Sequence, residues 1–379
     1  MPWTLDAVSE DGLPNPSPVR ERLSIRQIHR RLQTLPRRLV LLVSIALIIL
    51  LFASAILLAP ENRPASVEIS TPEEFAWKPT WTTEEVQPKF AYVQYATNMD
   101  YLCNAVINFA RLRRYGARED LVLIHPNEWS KGNSREATAL ARLRDSSPGL
   151  KMSGFDLIST SKGDKTWQYS LTKFHAFALT GWKRVLAFDS DSLVLNNMDD
   201  YFLSPKAPIA LPRAYWLNEK NMDKKQVLGS HVMLIEPNKA RYHKIMDEAA
   251  QSGEFDMEVV NHLFGDSAMI LPHRGLALLT GEFRATNHSK YLAPNENEVW
   301  NATKEVSQSY LVHFSDWPLP KPWISRTKQQ WEAALPECPV LDKKVGREGS
   351  PKCADRVVWS GFYEEYDREK SEQCKILSE

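Results

Sequence analysis

The chain has 379 residues, which is enough for one large or two small domains with tails. Lysine and arginine together number 47, as do aspartate and glutamate, so the formal net charge is zero. Nucleic-acid-binding proteins carry a basic excess, so this balance argues against a nucleic-acid partner. Apolar residues make up 43% of the chain and can supply a packed core.

Residues 39–59 form an uncharged apolar run. As a helix this run spans roughly 30 Å, the thickness of a bilayer's hydrocarbon core. Arginines precede the run and glutamates follow it, which indicates a cytosolic N-terminus and a luminal remainder. A cleaved signal peptide is the alternative, but the run is too long and starts too far into the chain. The sequence therefore predicts a cytosolic tail at 1–38 and a single transmembrane signal-anchor of type II topology at 39–59.

Glycosylation sequons and cysteines agree with a luminal location. Asn287 and Asn301 begin two N-glycosylation sequons. The four cysteines lack the spacing of a zinc site. In an oxidising lumen Cys338 and Cys353 could form a disulfide, whereas Cys103, within an apolar helical pattern, is predicted to be a buried thiol.

The remainder of the chain is predicted to contain a stem, one main domain and an extension. Residues 60–88 are rich in proline without helical periodicity, which predicts a stem. The main domain is predicted at 89–329 and a C-terminal extension at 330–379. Within the main domain the pattern predicts strands at 90–95, 121–124, 184–188, 209–211 and 231–235, and helices at 100–115, 136–144 and 169–180. This alternation is typical of an α/β fold with a parallel sheet covered by helices on both faces.

Two aspartates follow the strand predicted at 184–188. Asp189 and Asp191 are separated by Ser190 alone. Ligands bind beyond the carboxyl ends of strands in α/β sheets, and paired carboxylates suit Mg²⁺ or Mn²⁺ shared with a phosphate group. An Asp-x-Asp triplet is common by chance, and its alternative interpretation is a solvated strand end followed by a turn.

Three blocks around these aspartates, at 171–180, 188–196 and 199–202, have an order and spacing that resemble glycogenin and the other family 8 glycosyltransferases. The resemblance extends over roughly residues 90–325. It implies a GT-A fold, the Rossmann-like α/β architecture of nucleotide-sugar transferases. It also implies a UDP-sugar donor, a divalent metal (usually Mn²⁺, alternatively Mg²⁺) and transfer with retention of anomeric configuration.

The resemblance assigns residues at the end of the first strand to the nucleoside. Thr97, Asn98 and Tyr101 match the turn that binds uridine in the family, and the tyrosine ring could stack on the base. From chemistry alone, a helix N-terminus capped by Thr97 or Asn98 is an equally good interpretation.

The resemblance also assigns the metal and phosphate ligands. His313, which precedes a Lys-Pro-Trp block, would complete the metal site with the two aspartates. Lys173, Ser190 and Lys321 would contact the donor, the lysines through its phosphates. For Lys173 a position on a solvated helix face is the alternative.

The sequence departs from glycogenin near the expected sugar site. Gly229-Ser230-His231 stands where those proteins have Asn-Ser-Gly or Asn-Ala-Gly, and Met257 replaces a glutamine after the matching Asp256. These departures resemble the fungal Golgi N-acetylglucosaminyltransferase branch, the glucose N-acetyltransferase type. The expectation is a hexosyltransferase that moves GlcNAc from UDP-GlcNAc to a mannose-containing glycan in the Golgi lumen.

The expected mechanism is front-face attack, with Asp256 positioning hydroxyl groups and Lys173 stabilising the diphosphate. One alternative keeps the family but takes UDP-glucose or UDP-galactose as donor. Another is a membrane-tethered sugar-binding protein with a decayed site, which would require a lost metal ligand or phosphate lysine, and none is missing. A hydrolase with the same aspartates would leave the block after His313 unexplained.

Overall fold

The computed structural model describes residues 89–160, 168–217, 227–295, 297–339, 344–345 and 351–378. The predicted tail, signal-anchor and stem lie outside these residues. Within the described part of the chain, no helix has both the length and the apolar character needed to cross a membrane. The domain boundaries at residues 89 and 330 stay predictions.

The described residues form short strands and helices in alternation. The strands are β1 (Phe90–Tyr95), β2 (Asp120–Pro126), β3 (Leu150–Phe155), β4 (Arg184–Phe188), β5 (Ser192–Val194), β6 (Ile209–Pro212), β7 (Val232–Ile235), β8 (Met269–Leu271), β9 (Leu278–Leu279), β10 (Leu311–His313), β11 (Lys344–Val345) and β12 (Pro351–Lys352). The α-helices are α1 (Met99–Arg114), α2 (Arg135–Ser146), α3 (Lys239–Ser252), α4 (Asp256–Phe264), α5 (Ser289–Leu292), α6 (Ala302–Ser307), α7 (Lys328–Ala334) and α8 (Ala354–Gln373). Short 3₁₀ helices lie at Asn127–Ser130, Ser170–Ala178, Asp199–Leu203, Thr280–Arg284 and Cys374–Leu377, and a single turn lies at His273–Leu276.

The main sheet has seven strands in the order β3-β2-β1-β4-β7-β6-β8. The first four are parallel to one another, whereas β7 pairs antiparallel with both β4 and β6. A small second sheet joins β5, β10 and β9, with β10 antiparallel to β5. The α/β prediction is confirmed, but the all-parallel sheet is wrong, because apolar runs reveal buried strands without revealing their direction.

Two apolar cores cover the two faces of the main sheet. Successive side chains of a strand point to opposite faces. Tyr92 therefore belongs to the core that includes residues of α1, α2 and α8, whereas Val93 belongs to the core that includes residues of the 3₁₀ helix at Ser170–Ala178, α3 and α4. Strands buried on both faces read as nearly continuous apolar runs, which is why β1 and β4 are predictable from the sequence. The expected helices on both faces are confirmed.

The helix predicted at 169–180 is a 3₁₀ helix over Ser170–Ala178. A period of three residues is hard to distinguish from 3.6 over so few turns. The tighter winding aligns side chains three residues apart, which places Ser170 and Lys173 on one face, and both line the same cavity.

The C-terminal extension packs against α1. Glu369 of α8 pairs with Arg111 at 2.8 Å, and a disulfide joins Cys103 to Cys374. The prediction of a free thiol at Cys103 is therefore wrong. No local pattern indicates which cysteines pair when they lie 271 positions apart. Cys338 and Cys353 form the second disulfide, as considered from the sequence.

Replacing both Cys103 and Cys374 with serine should lower the free energy of unfolding by about 2–5 kcal/mol, because the bridge closes a long loop in the unfolded chain. Guanidinium denaturation of the full-length protein measures this. The matched control replaces Cys338 and Cys353, whose separation is only 15 residues, and should cost less. An equal or larger loss in the control would contradict the loop argument.

Candidate active site

The two aspartates and His313 meet at the edge where the two sheets join. β4 ends at Phe188, so Asp189 and Asp191 follow its carboxyl end directly. β10 pairs with β5 so that His313 lies opposite Ser192, the residue after Asp191. The histidine Nε2 atom lies 3.2 Å from Asp191 Oδ1 and 3.8 Å from Asp189 Oδ2.

This cluster fits a divalent metal. One ligand atom from each of Asp189, Asp191 and His313 lies within 4.8 Å of the others. The three side chains are 12–15% exposed, and carboxylate oxygens with an imidazole nitrogen form a donor set suited to Mn²⁺. The short distances to Nε2 show that this ring nitrogen is turned towards the carboxylates. The other ring nitrogen, Nδ1, is buried and has no hydrogen-bond partner among the described residues.

Two lysine ammonium groups approach the same carboxylates. Lys321 Nζ lies 2.6 Å from Asp191 Oδ2, and Lys173 contacts Asp189. Burial alone would raise the pKa of Asp191, but the charges of His313 and Lys321 outweigh it and hold that pKa well below its usual range. Burial raises the pKa of Asp189, because its neighbours compensate less completely.

Asp256 joins the cluster from the start of α4. Its Oδ2 accepts hydrogen bonds from Lys173 Nζ at 2.8 Å and from Ser230 Oγ at 2.5 Å. Burial opposes ionisation of Asp256, but Lys173 and the hydrogen bonds outweigh it and lower the pKa of this carboxyl. Lys173 is therefore a buried ammonium between two carboxylates, and a solvated helix face is excluded for it.

The cluster opens into a cavity of about 1020 Å³. Every predicted site residue lines it except Ser190. Ser190 is buried, and its hydroxyl donates to the carbonyl of Tyr95 at 2.6 Å. It holds the loop between the aspartates against β1, and its side chain does not face the cavity.

The predicted uridine turn lies at the start of α1. Asn98 caps this helix, because its Oδ1 accepts a hydrogen bond from the Tyr101 backbone N–H at 3.0 Å. The helix cap does not exclude these residues from the cavity, because Thr97, Asn98 and Tyr101 all line it. The Tyr101 ring packs edge-on against Trp323 with centroids 5.4 Å apart.

Several cavity residues were not identified from the sequence. Tyr215, Trp216 and Glu282 line the cavity, although none of them was predicted as a site residue. They come from segments far from the aspartates in the chain, so only the folded structure brings them to the site.

The C-terminal extension supports the segment that carries His313. Phe314 packs against the rings of Tyr363 and Tyr366 in α8, with centroids 5.2 and 5.8 Å away. The Tyr363 hydroxyl donates to buried Asp316 at 2.8 Å. α8 therefore fixes the loop between His313 and Lys321.

Tyr363→Phe should lower the free energy of unfolding by about 1–3 kcal/mol, because Asp316 stays buried with one hydrogen bond fewer. Urea denaturation of the full-length protein measures the loss. Tyr115→Phe is the control, since Tyr115 is exposed and receives only a 3.2 Å hydrogen bond from Arg111. Equal losses in the two variants would contradict the buried-carboxylate explanation.

Comparisons with known proteins agree with a transferase. No protein-family model matches the chain. Glucose N-acetyltransferase 1 of Gibberella zeae is 41% identical over 296 residues, which cover 76% of this chain and 63% of that protein. The protein of the same name in Aspergillus fumigatus is 36% identical over 306 residues, covering 76% of this chain and 78% of that protein.

Solved glycosyltransferase structures are more distant. A galactosyltransferase in complex with donor and acceptor sugar analogs is 14% identical with a TM-score of 0.46, covering 66% of this chain and 98% of that one. The sequence relationship is the stronger finding, because the Aspergillus fumigatus protein is matched over most of its length. On that ground the chain belongs to the family of fungal transferases named glucose N-acetyltransferase 1.

Proposed function

We propose that this protein is a metal-dependent, retaining glycosyltransferase of the GT-A fold and family 8, which moves GlcNAc from UDP-GlcNAc to a mannose-containing glycan. The observation that supports this most is the convergence of Asp189, Asp191 and His313 with Lys173 and Lys321 in one cavity. Such a set of cations and metal ligands suits a diphosphate leaving group. A decayed sugar-binding protein would not need to keep every member of it.

The leaving group develops negative charge as the bond to the sugar breaks. Lys173 and Lys321 are held in place by the buried carboxylates, so their ammonium groups are preorganised for the donor phosphates. A divalent metal held by Asp189, Asp191 and His313 would supply further positive charge to the same group. One preorganised contact of this kind contributes about 3–4 kcal/mol to lowering the barrier.

Asp256 has the chemistry of a positioning group. Its pKa is lowered, which favours the charged form, and Lys173 and Ser230 donate hydrogen bonds to that charge. A carboxylate with this many hydrogen-bond partners is a weak nucleophile, which favours front-face attack over a covalent sugar intermediate. Asp256 would then orient hydroxyl groups of the donor or the acceptor.

The proposed location is the Golgi membrane, with single-pass type II topology through 39–59 and a luminal catalytic domain. The charge distribution around that run and the two sequons support this. All four cysteines are paired in disulfides, which suits an oxidising compartment.

The test is UDP release by the full-length protein with a mannoside acceptor and Mn²⁺. We expect turnover with UDP-GlcNAc, loss of it in EDTA, and partial recovery with Mg²⁺. A preference for UDP-glucose or UDP-galactose would overturn the donor assignment alone. Failure to bind UDP in the presence of Mn²⁺ would overturn the glycosyltransferase proposal.

A further inference from the structure

A series of aromatic rings connects the Asp189–Asp191–His313 site to the carboxylate of Glu282. The ring of His231 lies 5.8 Å from that of His313, and the ring of Trp216 lies 5.8 Å from that of His231. Trp216 in turn packs edge-on against Tyr215 at 5.4 Å. The Tyr215 hydroxyl donates a hydrogen bond to Glu282, and all five residues line the same cavity.

Glu282 is fixed in position and still has acceptor capacity. It is 8% exposed, its Oε2 accepts a hydrogen bond from the Tyr215 hydroxyl at 2.9 Å, and its Oε1 pairs with His288 Nδ1 at 2.8 Å. Each carboxylate oxygen can accept two hydrogen bonds, so one acceptor position on each remains for a ligand.

The Glu282 segment is joined to the segment that carries His313. The backbone N–H of Ser315 donates to Thr280 Oγ1 at 2.8 Å, and that of Gly281 donates to Ser315 Oγ at 3.1 Å. The carboxylate is therefore held at a fixed distance from the metal cluster, as a substrate site requires.

We propose that Trp216 and Glu282 form the subsite for the acceptor sugar, a neutral hexose with two adjacent hydroxyl groups. This inference rests on the proposed function, since the donor sugar is bonded to its phosphate and must lie beside the cluster, near His231. Trp216 contacts His231 on the side away from His313 in this series of contacts, and Glu282 follows through Tyr215. An indole face packs on a sugar ring, and a carboxylate accepts from neighbouring hydroxyls and repels anionic sugars.

The test compares kinetics of the full-length protein and its Glu282→Gln and Trp216→Ala variants. We expect the KM for a methyl α-mannoside acceptor to rise about 10-fold or more, because hydrogen bonds to a charged group and ring stacking are lost. The KM for UDP-GlcNAc and the dissociation constant of UDP should change by less than about twofold, which also reports that the variants are folded.

Two matched controls lie outside the cavity. Glu248→Gln alters a carboxylate that pairs with His262 at 2.5 Å, and Trp182→Ala removes a half-buried indole that donates to Asp120. Neither should change the acceptor KM. Trp216→Phe, which keeps a ring, should lose less than Trp216→Ala.

Three results would overturn the subsite. They are an unchanged acceptor KM in both variants, an equal rise in the donor KM, and an equal loss in the controls. If the wild type transfers no sugar, the proposed function fails on its own. Saturation-transfer NMR with methyl α-mannoside then decides the subsite separately: binding to the wild type that the variants lose supports it, and absence of binding to the wild type refutes it.

Discussion

Asp191→Asn should lower kcat for sugar transfer by about 10²–10³-fold. The substitution keeps the shape of the side chain but removes the charge that lies 3.2 Å from His313 Nε2 and 2.6 Å from Lys321 Nζ. One ligand of the proposed metal is weakened, and Lys321 loses the carboxylate that would hold it beside the donor phosphates. The measurement is the rate of UDP release at saturating UDP-GlcNAc and acceptor, over a range of Mn²⁺ concentrations.

The Mn²⁺ range separates two explanations of the loss. If Asp191 acts through the metal, the concentration of Mn²⁺ for half-maximal rate should rise in the variant as well. Asp200→Asn is the matched control, because Asp200 is an exposed aspartate outside the cavity lining. A variant with wild-type kcat and wild-type Mn²⁺ dependence would remove Asp191 from the mechanism.

The centre of the site was predictable from sequence because local patterns encode it. The apolar run before Asp189 predicts a buried strand, and the position of the aspartates at its end follows from strand geometry alone. His313 was assigned by resemblance to a family, and the structure places its Nε2 beside both carboxylates.

The periphery was less predictable because it depends on long-range packing. Ser190 lies between the two aspartates, yet its side chain points into the protein, because its hydroxyl donates to the carbonyl of Tyr95. The Cys103–Cys374 disulfide and the contact between Tyr363 and Asp316 join segments that no local pattern relates. β3 was missed because its side chains are mostly polar or half-exposed.

The residues that line the cavity also divide into those that local patterns predict and those that long-range packing brings together. Thr97 follows β1 closely and Tyr101 lies in the first turn of α1, so a turn at that strand end could be predicted. Trp216 and Glu282 line one cavity only because the separate segments after β6 and β9 pack together. Residues that recognise a sugar in such a cavity carry no fixed spacing, and their assignment requires the folded structure.

Lys173→Met should lower the free energy of unfolding by about 3–5 kcal/mol and also lower kcat sharply. Lys173 is 4% exposed, and its ammonium contacts Asp189 and lies 2.8 Å from Asp256. Methionine fills a similar volume but leaves the two carboxylates buried without their counter-charge. Urea denaturation of the full-length protein in EDTA measures the loss of stability without a contribution from metal.

The pH dependence of the free energy of unfolding shows whether the carboxylates left without a counter-charge cause the loss of stability. In the wild type the pKa of Asp256 is lowered, against the effect of burial, by Lys173 and by hydrogen bonds, so its contribution to stability is present above the unfolded pKa and is lost on acidification. In the variant that pKa should rise above the unfolded value, and stability should then fall as pH increases. The difference between the two proteins should therefore shrink from pH 7 to pH 4.

A double variant separates the buried charge from lost packing. Lys173→Met combined with Asp256→Asn should recover part of the lost stability, because one uncompensated carboxylate is gone, but it should not recover activity. Lys304→Met is the control, since Lys304 forms an exposed pair with Glu298 at 2.5 Å, and its loss should be much smaller than that of Lys173→Met. If the double variant were as unstable as Lys173→Met, packing would explain the loss. Recovered stability would instead mean that the lysine compensates the buried carboxylates.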